Sequence, residues 1–289
     1  MANPKDANWY TGGLSNSTVP GSNLGDVFYL DGVAGSNSNS GLTPDKPKLT
    51  MTAALALCTN DHTDTIVVLD YWQPAGETWP INVNKSKVRI VGSPSGSPQR
   101  PWACMKPPGD TACLSISAND VFIESLYFEA GAAHGGIEFS GGVCRVGIKS
   151  CYFAIGANGI LDSANGVGFS LEIWDCYFLQ ALTAQGIYIN DDPAFAYIHD
   201  NIFSRVQGVA IEATAGGRGQ IVRNIIALPS NTAGMAITLG ASCYGWLVDG
   251  NHANYGDTAM GNNPYTDSAA AGANDWLLNY HAATAVLPA

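Results

Sequence analysis

Charged side chains are scarce in this chain of 289 residues. They make up 13% of it, about half of the roughly 25% in an average soluble domain. Basic residues are the scarcer kind, 13 against 24 acidic ones, and the formal net charge is −11. An apolar run of about 18 residues, the length of a membrane-spanning helix, is also missing. Neither nucleic acid nor membrane insertion is expected, because no basic stripe is present to neutralise phosphates.

Cysteine pairs of the CxxC type and a leader-like N-terminus are missing as well. The seven cysteines are an odd number, so neither a closed disulfide framework nor a zinc ribbon is indicated. The first ten residues, MANPKDANWY, lack the apolar run of a secretory signal, so we expect a protein made in a reducing cytoplasm. No metal or cofactor is predicted, because no metal-ligand spacing is found among the histidines, which are His62, His134, His199, His252 and His281.

An internal repeat organises the chain. Its clearest copies each begin 25 residues after the one before: 121–128 (VFIESLYF), 146–153 (VGIKSCYF), 171–178 (LEIWDCYF) and 196–203 (AYIHDNIF). A second signature, a glycine before an apolar strand, recurs in phase at 136–139, 159–162, 186–189, 208–211 and 234–237. Each repeat therefore holds at least two short strands with period-2 alternation, separated by Gly, Asn and Ser turns.

Two strands and tight turns in each 22 to 27 residues, with no helix between them, predict one coil of a parallel β-solenoid. Equivalent positions then stack in columns, and one column is Leu126, Cys151, Cys176, Asn201, Asn224 and Asn251. In these features the sequence resembles the right-handed parallel β-helix, or pectin-lyase-like, superfamily. The resemblance implies an all-β solenoid of about 7–8 coils. A leucine-rich repeat has an overlapping period, but its buried positions are mostly Leu, whereas here they are Ile, Val, Phe and Tyr.

The predicted organisation has four parts. Residues 1–24 form an N-terminal arm, 25–58 a first strand with a capping helix, 59–253 the β-helix, and 254–289 a C-terminal docking or capping segment. Leu49, Ala53 and Leu57 fall on one apolar stripe of the helix. The strand, loop and helix of 25–58 resemble the N-terminal module of extracellular and phage β-helix proteins. The C-terminal segment is apolar enough that we expect it to be buried, either over the last coil or against a neighbouring subunit. Its apolar residues include Trp276, Leu277 and Tyr280.

Two kinds of site are candidates. If the protein is an enzyme, Asp162, Asp191 and Asp192 are the carboxylates that polysaccharide hydrolysis would use. The hydrolase family that such a site would resemble also carries Gly-His-Gly and Arg-x-Lys motifs, which this sequence lacks. Calcium-assisted elimination is a further enzymatic alternative. Strand alternation also places four neighbouring side chains on the outer face of the predicted sheet. They form a candidate surface for a glycan or a protein partner and are Glu172, Trp174, Tyr197 and His199.

The resemblance to phage proteins and the incomplete catalytic set favour a non-enzymatic virion protein, a capsid decoration, cement or spike subunit. Its expected partners are other capsid or tail proteins and further copies of itself, as a trimer, with host surface glycan as another. Its expected location is the virion. The alternatives from other classes are a polysaccharide-degrading hydrolase or lyase and a non-catalytic glycan-binding module on the same β-helix.

Overall fold

A computed structural model of the chain describes residues 25–97, 100–162, 167–190, 194–228, 235–255, 264–270, 272–281 and 284–286. The predicted N-terminal arm, 1–24, lies outside these residues, as do Asp191 and Asp192.

The described residues form one short helix and a series of short strands. The N-terminal elements are β1 (Val27–Asp31), α1 (Met51–Leu57), β2 (Thr65–Asp70), β3 (Ile81–Val83), β4 (Arg89–Gly92), β5 (Pro94–Ser97), β6 (Arg100–Trp102), β7 (Cys104–Met105), β8 (Leu114–Ile116), β9 (Phe122–Glu124), β10 (Tyr127–Glu129) and β11 (Gly135–Phe139). The central elements are β12 (Val143–Lys149), β13 (Tyr152–Asp162), β14 (Val167–Trp174), β15 (Tyr177–Ile189), β16 (Ala194–His199), β17 (Ile202–Ser204) and β18 (Val209–Gly217). The C-terminal elements are β19 (Gln220–Val222), β20 (Ile225–Leu228), β21 (Ile237–Tyr244), β22 (Leu247–Asp249), β23 (His252–Tyr255), β24 (Tyr265–Asp267), β25 (Asp275–Trp276), β26 (Asn279–His281) and β27 (Thr284–Val286).

The predicted parallel β-solenoid is confirmed, with about seven turns. The first sheet, sheet A, has the strand order β1-β2-β4-β9-β12-β14-β16-β19-β22-β25, and its neighbours pair in parallel. The second sheet, sheet B, contains the remaining strands of each coil. Between β4 and β8, β5 and β6 pair antiparallel apart from both sheets, and β7 returns to pair with β10.

Aromatic rings and glycines fit together in the core of sheet B. Phe128, Phe153, Phe178 and Phe203 stack with ring centroids 5.0, 4.8 and 4.5 Å apart, and all four are buried. The glycines of the second signature make room for this stack. A Cβ on Gly159 would lie 2.6 Å from the Phe178 ring, and one on Gly186 would lie 2.7 Å from that of Phe203. The glycine signature of the sequence is therefore the complement of the phenylalanine signature.

The predicted asparagine column forms a buried hydrogen-bonded ladder. Asn224 Nδ2 donates to Asn251 Oδ1 over 2.9 Å, and Asn201 Nδ2 donates to Asn224 Oδ1 over 3.0 Å. The same side-chain oxygens accept the backbone N–H of the preceding coil. Cys151 and Cys176 continue the column as buried free thiols, and desolvation raises the pKa of Cys176 well above its ordinary value.

The helix is present, but its buried face differs from the predicted stripe. Thr50 caps its N-terminus by accepting the Ala53 N–H over 3.2 Å. Met51, Ala54 and Leu55 are its buried residues, whereas the predicted Leu49, Ala53 and Leu57 are only partly buried. The stripe was placed one position out of phase because a seven-residue helix offers too short a pattern to fix its phase. The capping role of this helix stays a prediction.

The solenoid continues past residue 253, where its end was predicted. β24, β25 and β26 pair in parallel with β21, β22 and β23, and Asn279 extends the asparagine ladder. The sequence pattern concealed this coil because its strands are only two or three residues long. Trp276 of the predicted assembly tail packs against the protein's own core and donates to Asp267 over 2.7 Å. Leu277 and Tyr280 remain exposed.

Candidate functional site

A groove of about 480 Å³ follows the tight turn that joins sheet A to the first strands of sheet B. We call it the corner groove, and its lining residues are Ser150, Tyr152, Asp175, Tyr177, Asp200 and Ile202. Ser150, Asp175 and Asp200 are equivalent turn residues of consecutive coils with φ of 50°, 53° and 56°. Most residues avoid this left-handed backbone, but Asp and similar short polar residues adopt it more readily. The turn geometry therefore aligns small polar side chains along one edge of the groove.

Tyrosine rings form the other edge of the groove. Tyr152 and Tyr177 stack with centroids 4.5 Å apart, and Tyr127 stacks beneath Tyr152 at 6.2 Å. All three rings are half-buried. Desolvation and the neighbouring Tyr177 raise the pKa of Tyr152, so its phenol keeps its proton at neutral pH. A protonated phenol can donate a hydrogen bond to a ligand as well as accept one.

The Asp200 carboxylate is held firmly in place. Arg223 Nε donates to Oδ1 over 2.8 Å, and the Arg223 terminal nitrogen donates to Oδ2 over 2.6 Å. His199 Nδ1 lies 2.7 Å from the same Oδ2. Desolvation raises the pKa of Asp200, but the hydrogen bonds from Arg223 and His199 outweigh it, so the net pKa lies below the ordinary value. Asp200 is thus an ionised, oriented carboxylate, and like Asp175 one coil earlier it is exposed.

The predicted outward columns of sheet A have the expected register. Glu124, Lys149, Trp174 and His199 pair in sequence across four coils, and Glu172 lies beside Tyr197. The Tyr197 and His199 rings are 3.9 Å apart, and His199 Nε2 is 3.2 Å from Glu172 Oε1. We call Glu172, Trp174, Tyr197 and His199 the aromatic strip. It meets the corner groove at Asp200, the neighbour of His199.

Of the three predicted catalytic carboxylates, the structure describes Asp162, whereas Asp191 and Asp192 lie outside the described residues. Asp162 is fully buried, in register between Phe139 and Ile189 in the core column. A substrate outside the solenoid does not reach it. The period-2 pattern makes the fourth position of Gly-Ile-x-Ile an inward one, and Asp162 occupies that position.

A second cluster of polar side chains lies near the N-terminal end of sheet A. One ligand-type atom from each of Asp26, His62 and Asp64 lies within 4.8 Å of the others. Asp64 is buried and accepts the N–H groups of Asp26 over 2.7 Å and of Thr59 over 2.6 Å. His62 Nδ1 is 2.7 Å from Asp64 Oδ1. These bonds tie the first strand to the loop after α1.

Sequence reasoning missed the corner groove, although its residues belong to the quoted repeat. The fifth position of each clear copy is Ser or Asp, and the seventh is Tyr or Ile. Polar residues in turns are common, so a Ser or Asp at this position does not by itself indicate a site. The usable signal was the repetition of that polar residue beside an outward tyrosine.

The comparisons with known proteins identify the fold. No family model matches the chain, and no curated protein matches its sequence. Two crystal structures of the GH136 lacto-N-biosidase from Eubacterium ramulus, the native protein and a selenomethionine derivative, are similar to it with a TM-score of 0.55. Their identity to it is 11% and 12%, and the similarity covers 89% of this chain. The chain corresponds to 56% of the length of those chains.

These structural neighbours overturn the expectation of a non-enzymatic virion protein. They are β-helix glycoside hydrolases. The expected virion partners, trimeric assembly and virion location are not tested by the structure of a single chain. Among the described residues, no helix has the length and apolar character needed to span a membrane.

Proposed function

We propose that this protein is glycan-active, binding a glycan in the corner groove and hydrolysing a glycosidic bond there. The observation that supports this proposal is that two carboxylates of consecutive coils, Asp175 and Asp200, line one groove. The stacked rings of Tyr152 and Tyr177 line the same groove. Lacto-N-biosidases on the same fold support this choice of reaction class.

The two carboxylates have different surroundings, as hydrolysis requires. One group must protonate the leaving oxygen while the other, ionised, acts as base or nucleophile. Asp200 suits the ionised role because Arg223 and His199 lower its pKa. Both side chains are exposed, and the proton-donor role is assigned to Asp175 because Asp200 fills the ionised one. One coil step is about 4.8 Å, close to the roughly 5–5.5 Å between carboxyl groups in retaining glycosidases.

Amide substitution of each groove carboxylate tests the proposal. We expect Asp175→Asn and Asp200→Asn each to lower the rate of reducing-end release by about a hundredfold or more. Asp120→Asn is the matched control, because Asp120 also has a left-handed backbone and a two-point ion pair, with Arg145, outside the groove. The rate would be measured on a panel of glycans with all three variants at equal concentration. Equal activity in the wild type and both groove variants would refute the assignment.

A second candidate is glycan binding without hydrolysis. It is favoured by the engagement of both Asp200 oxygens by Arg223, which leaves that carboxylate less available to a reacting carbon. In that case the aromatic strip would extend the binding surface on the other side of Asp200, with Trp174 as a stacking residue. The discriminating result is saturable glycan binding without any release of reducing ends.

A further inference from the structure

One outward column of side chains runs through the corner groove and continues beyond it at both ends. Its members pair in register from coil to coil: Tyr127, Tyr152, Tyr177, Ile202 and Ile225. Four coil steps of about 4.8 Å make this column about 19 Å long. Ile225, at its far end, has 52% of its surface exposed.

A polar row accompanies the column on the turn side. Ser125, Ser150, Asp175 and Asp200 occupy the same turn position in successive coils, two residues before the corresponding member of the column. Apolar and aromatic surface thus lies beside hydroxyls and carboxylates in the first four coils, and in the fifth coil Arg223 holds the equivalent turn position beside Ile225. A sugar chain has the same duality, with apolar C–H faces and a rim of hydroxyls, and concave sites with a few placed polar groups suit such ligands.

The charge of the groove favours an uncharged ligand over an acidic one. Its six lining residues include two acids and no basic side chain. Arg223, next to it, is bound to Asp200 at two points. A uronate polymer would bring its carboxylates against Asp175 and Asp200, and like charges at this distance repel. An uncharged glycan meets no such cost.

We propose that the ligand is an uncharged, linear glycan lying parallel to the solenoid axis, with successive sugar units over successive coils from Tyr127 to Ile225. This inference rests on the proposed function and specifies its ligand. A pyranose unit in an extended chain is about as long as one coil step, so the column accommodates four or five units. Each further unit gains contact with one more coil until the column is filled.

A length series on immobilised glycans tests the inference. The probes are glucan, mannan, galactan and N-acetylhexosamine-containing oligosaccharides of two to six units, with oligouronates of the same lengths. We expect the affinity for at least one uncharged series to rise about tenfold or more from two to five units and then level off. Ile225→Ala should abolish the gain from the fourth to the fifth unit, because it removes the side chain that the fifth unit would contact. Leu42→Ala is the control, because Leu42 is similarly exposed, at 58%, and lies outside the column.

The outcomes separate this inference from the proposed hydrolysis. Length-dependent binding without cleavage supports the axial ligand and refutes the reaction. Cleavage at rates independent of glycan length, or unaffected by Ile225→Ala, refutes the axial ligand and keeps the reaction. Absence of binding to every probe, or preference for oligouronates, overturns the inference.

Discussion

At the scale of single residues, asparagine satisfies buried backbone groups where the later coils of the solenoid turn from sheet A to sheet B. The asparagine side chain has one acceptor and two donor hydrogens, and at Asn224 the structure uses both functions. Its oxygen accepts from the backbone and side chain of Asn201, while its amide donates to Asn251 and to the Ile198 carbonyl. Alanine would leave several buried polar groups without partners.

Asn224→Ala should therefore lower the free energy of unfolding by about 2–4 kcal/mol, because buried orphaned groups cost about 1–3 kcal/mol each. Chemical denaturation monitored by circular dichroism measures it. Asn82→Ala is the control, since Asn82 is an exposed asparagine of β3. A loss no larger than that of the control would show that the ladder contributes little to stability.

Arg223 sets the protonation of Asp200, and its removal has a defined sign. Arg223→Gln removes a charge-assisted pair, so the pKa of Asp200 should rise from its lowered value. Because the folded pKa is below the unfolded one, Asp200 stabilises the fold above its unfolded pKa of about 3.9. That contribution is lost as pH falls through the folded pKa. In the variant the folded pKa lies nearer the unfolded one, so the contribution is smaller and its loss is complete at a higher pH.

Carboxyl NMR titration of Asp200 measures this shift. Arg145→Gln, which removes the equivalent partner of Asp120, should leave the Asp200 titration unchanged. An Asp200 titration that is identical in wild type and Arg223→Gln would contradict the geometry.

At the scale of elements, glycine and phenylalanine columns on sheet B fix how consecutive coils stack. The ring of Phe203 occupies the space where a Cβ of Gly186 would lie, and the Ala210 carbonyl oxygen would be 2.6 Å from the same atom. The ring cannot move away easily because it is buried in its stack. The backbone carbonyl cannot do so either, because it belongs to the next coil. The glycine is therefore needed for close approach rather than for a special backbone conformation.

Gly186→Ala should destabilise the protein by about 1–3 kcal/mol, the usual cost of overpacking a core. Gly109→Ala serves as the control, because a Cβ at Gly109 meets no atom within 4 Å. Thermal and denaturant unfolding of both variants gives the comparison. If the two variants were equally stable, the coils would have to adjust more freely than the stacked rings suggest.

At the scale of the whole molecule, the repeat predicts the solenoid well and the site poorly. Phe153 and Asn201 are predictable because each belongs to a column whose residues all serve the same packing or hydrogen bond. The corner groove depends instead on which copies carry Asp or Tyr at turn and outward positions that tolerate many residues. Asp175 and Asp200 have the same sequence appearance as ordinary turn residues, and only the folded coil shows that they share a groove with two tyrosines. The final coil escaped prediction because its strands are too short for a period-2 pattern.

The low charge of the chain fits this picture of the surface. Stacked coils place equivalent positions about 4.8 Å apart, where like charges repel, and several charges are paired with the opposite sign across coils, whereas Asp175 and Asp200 are stacked acids. Glu124 pairs with Lys149 and Arg89, and Asp200 pairs with Arg223. The outward column from Tyr127 to Ile225 is uncharged throughout, in agreement with a binding surface for an uncharged chain.

A crystal structure of the Asp175→Asn variant tests most directly whether a glycan binds in the corner groove. The ligand is the longest oligosaccharide that binds in the length series. The account predicts sugar density in the corner groove, against Tyr152 and Tyr177 and within hydrogen-bond distance of Asp200, running along the solenoid axis. Density away from Tyr152 and Tyr177, or on the aromatic strip with the corner groove empty, would contradict it.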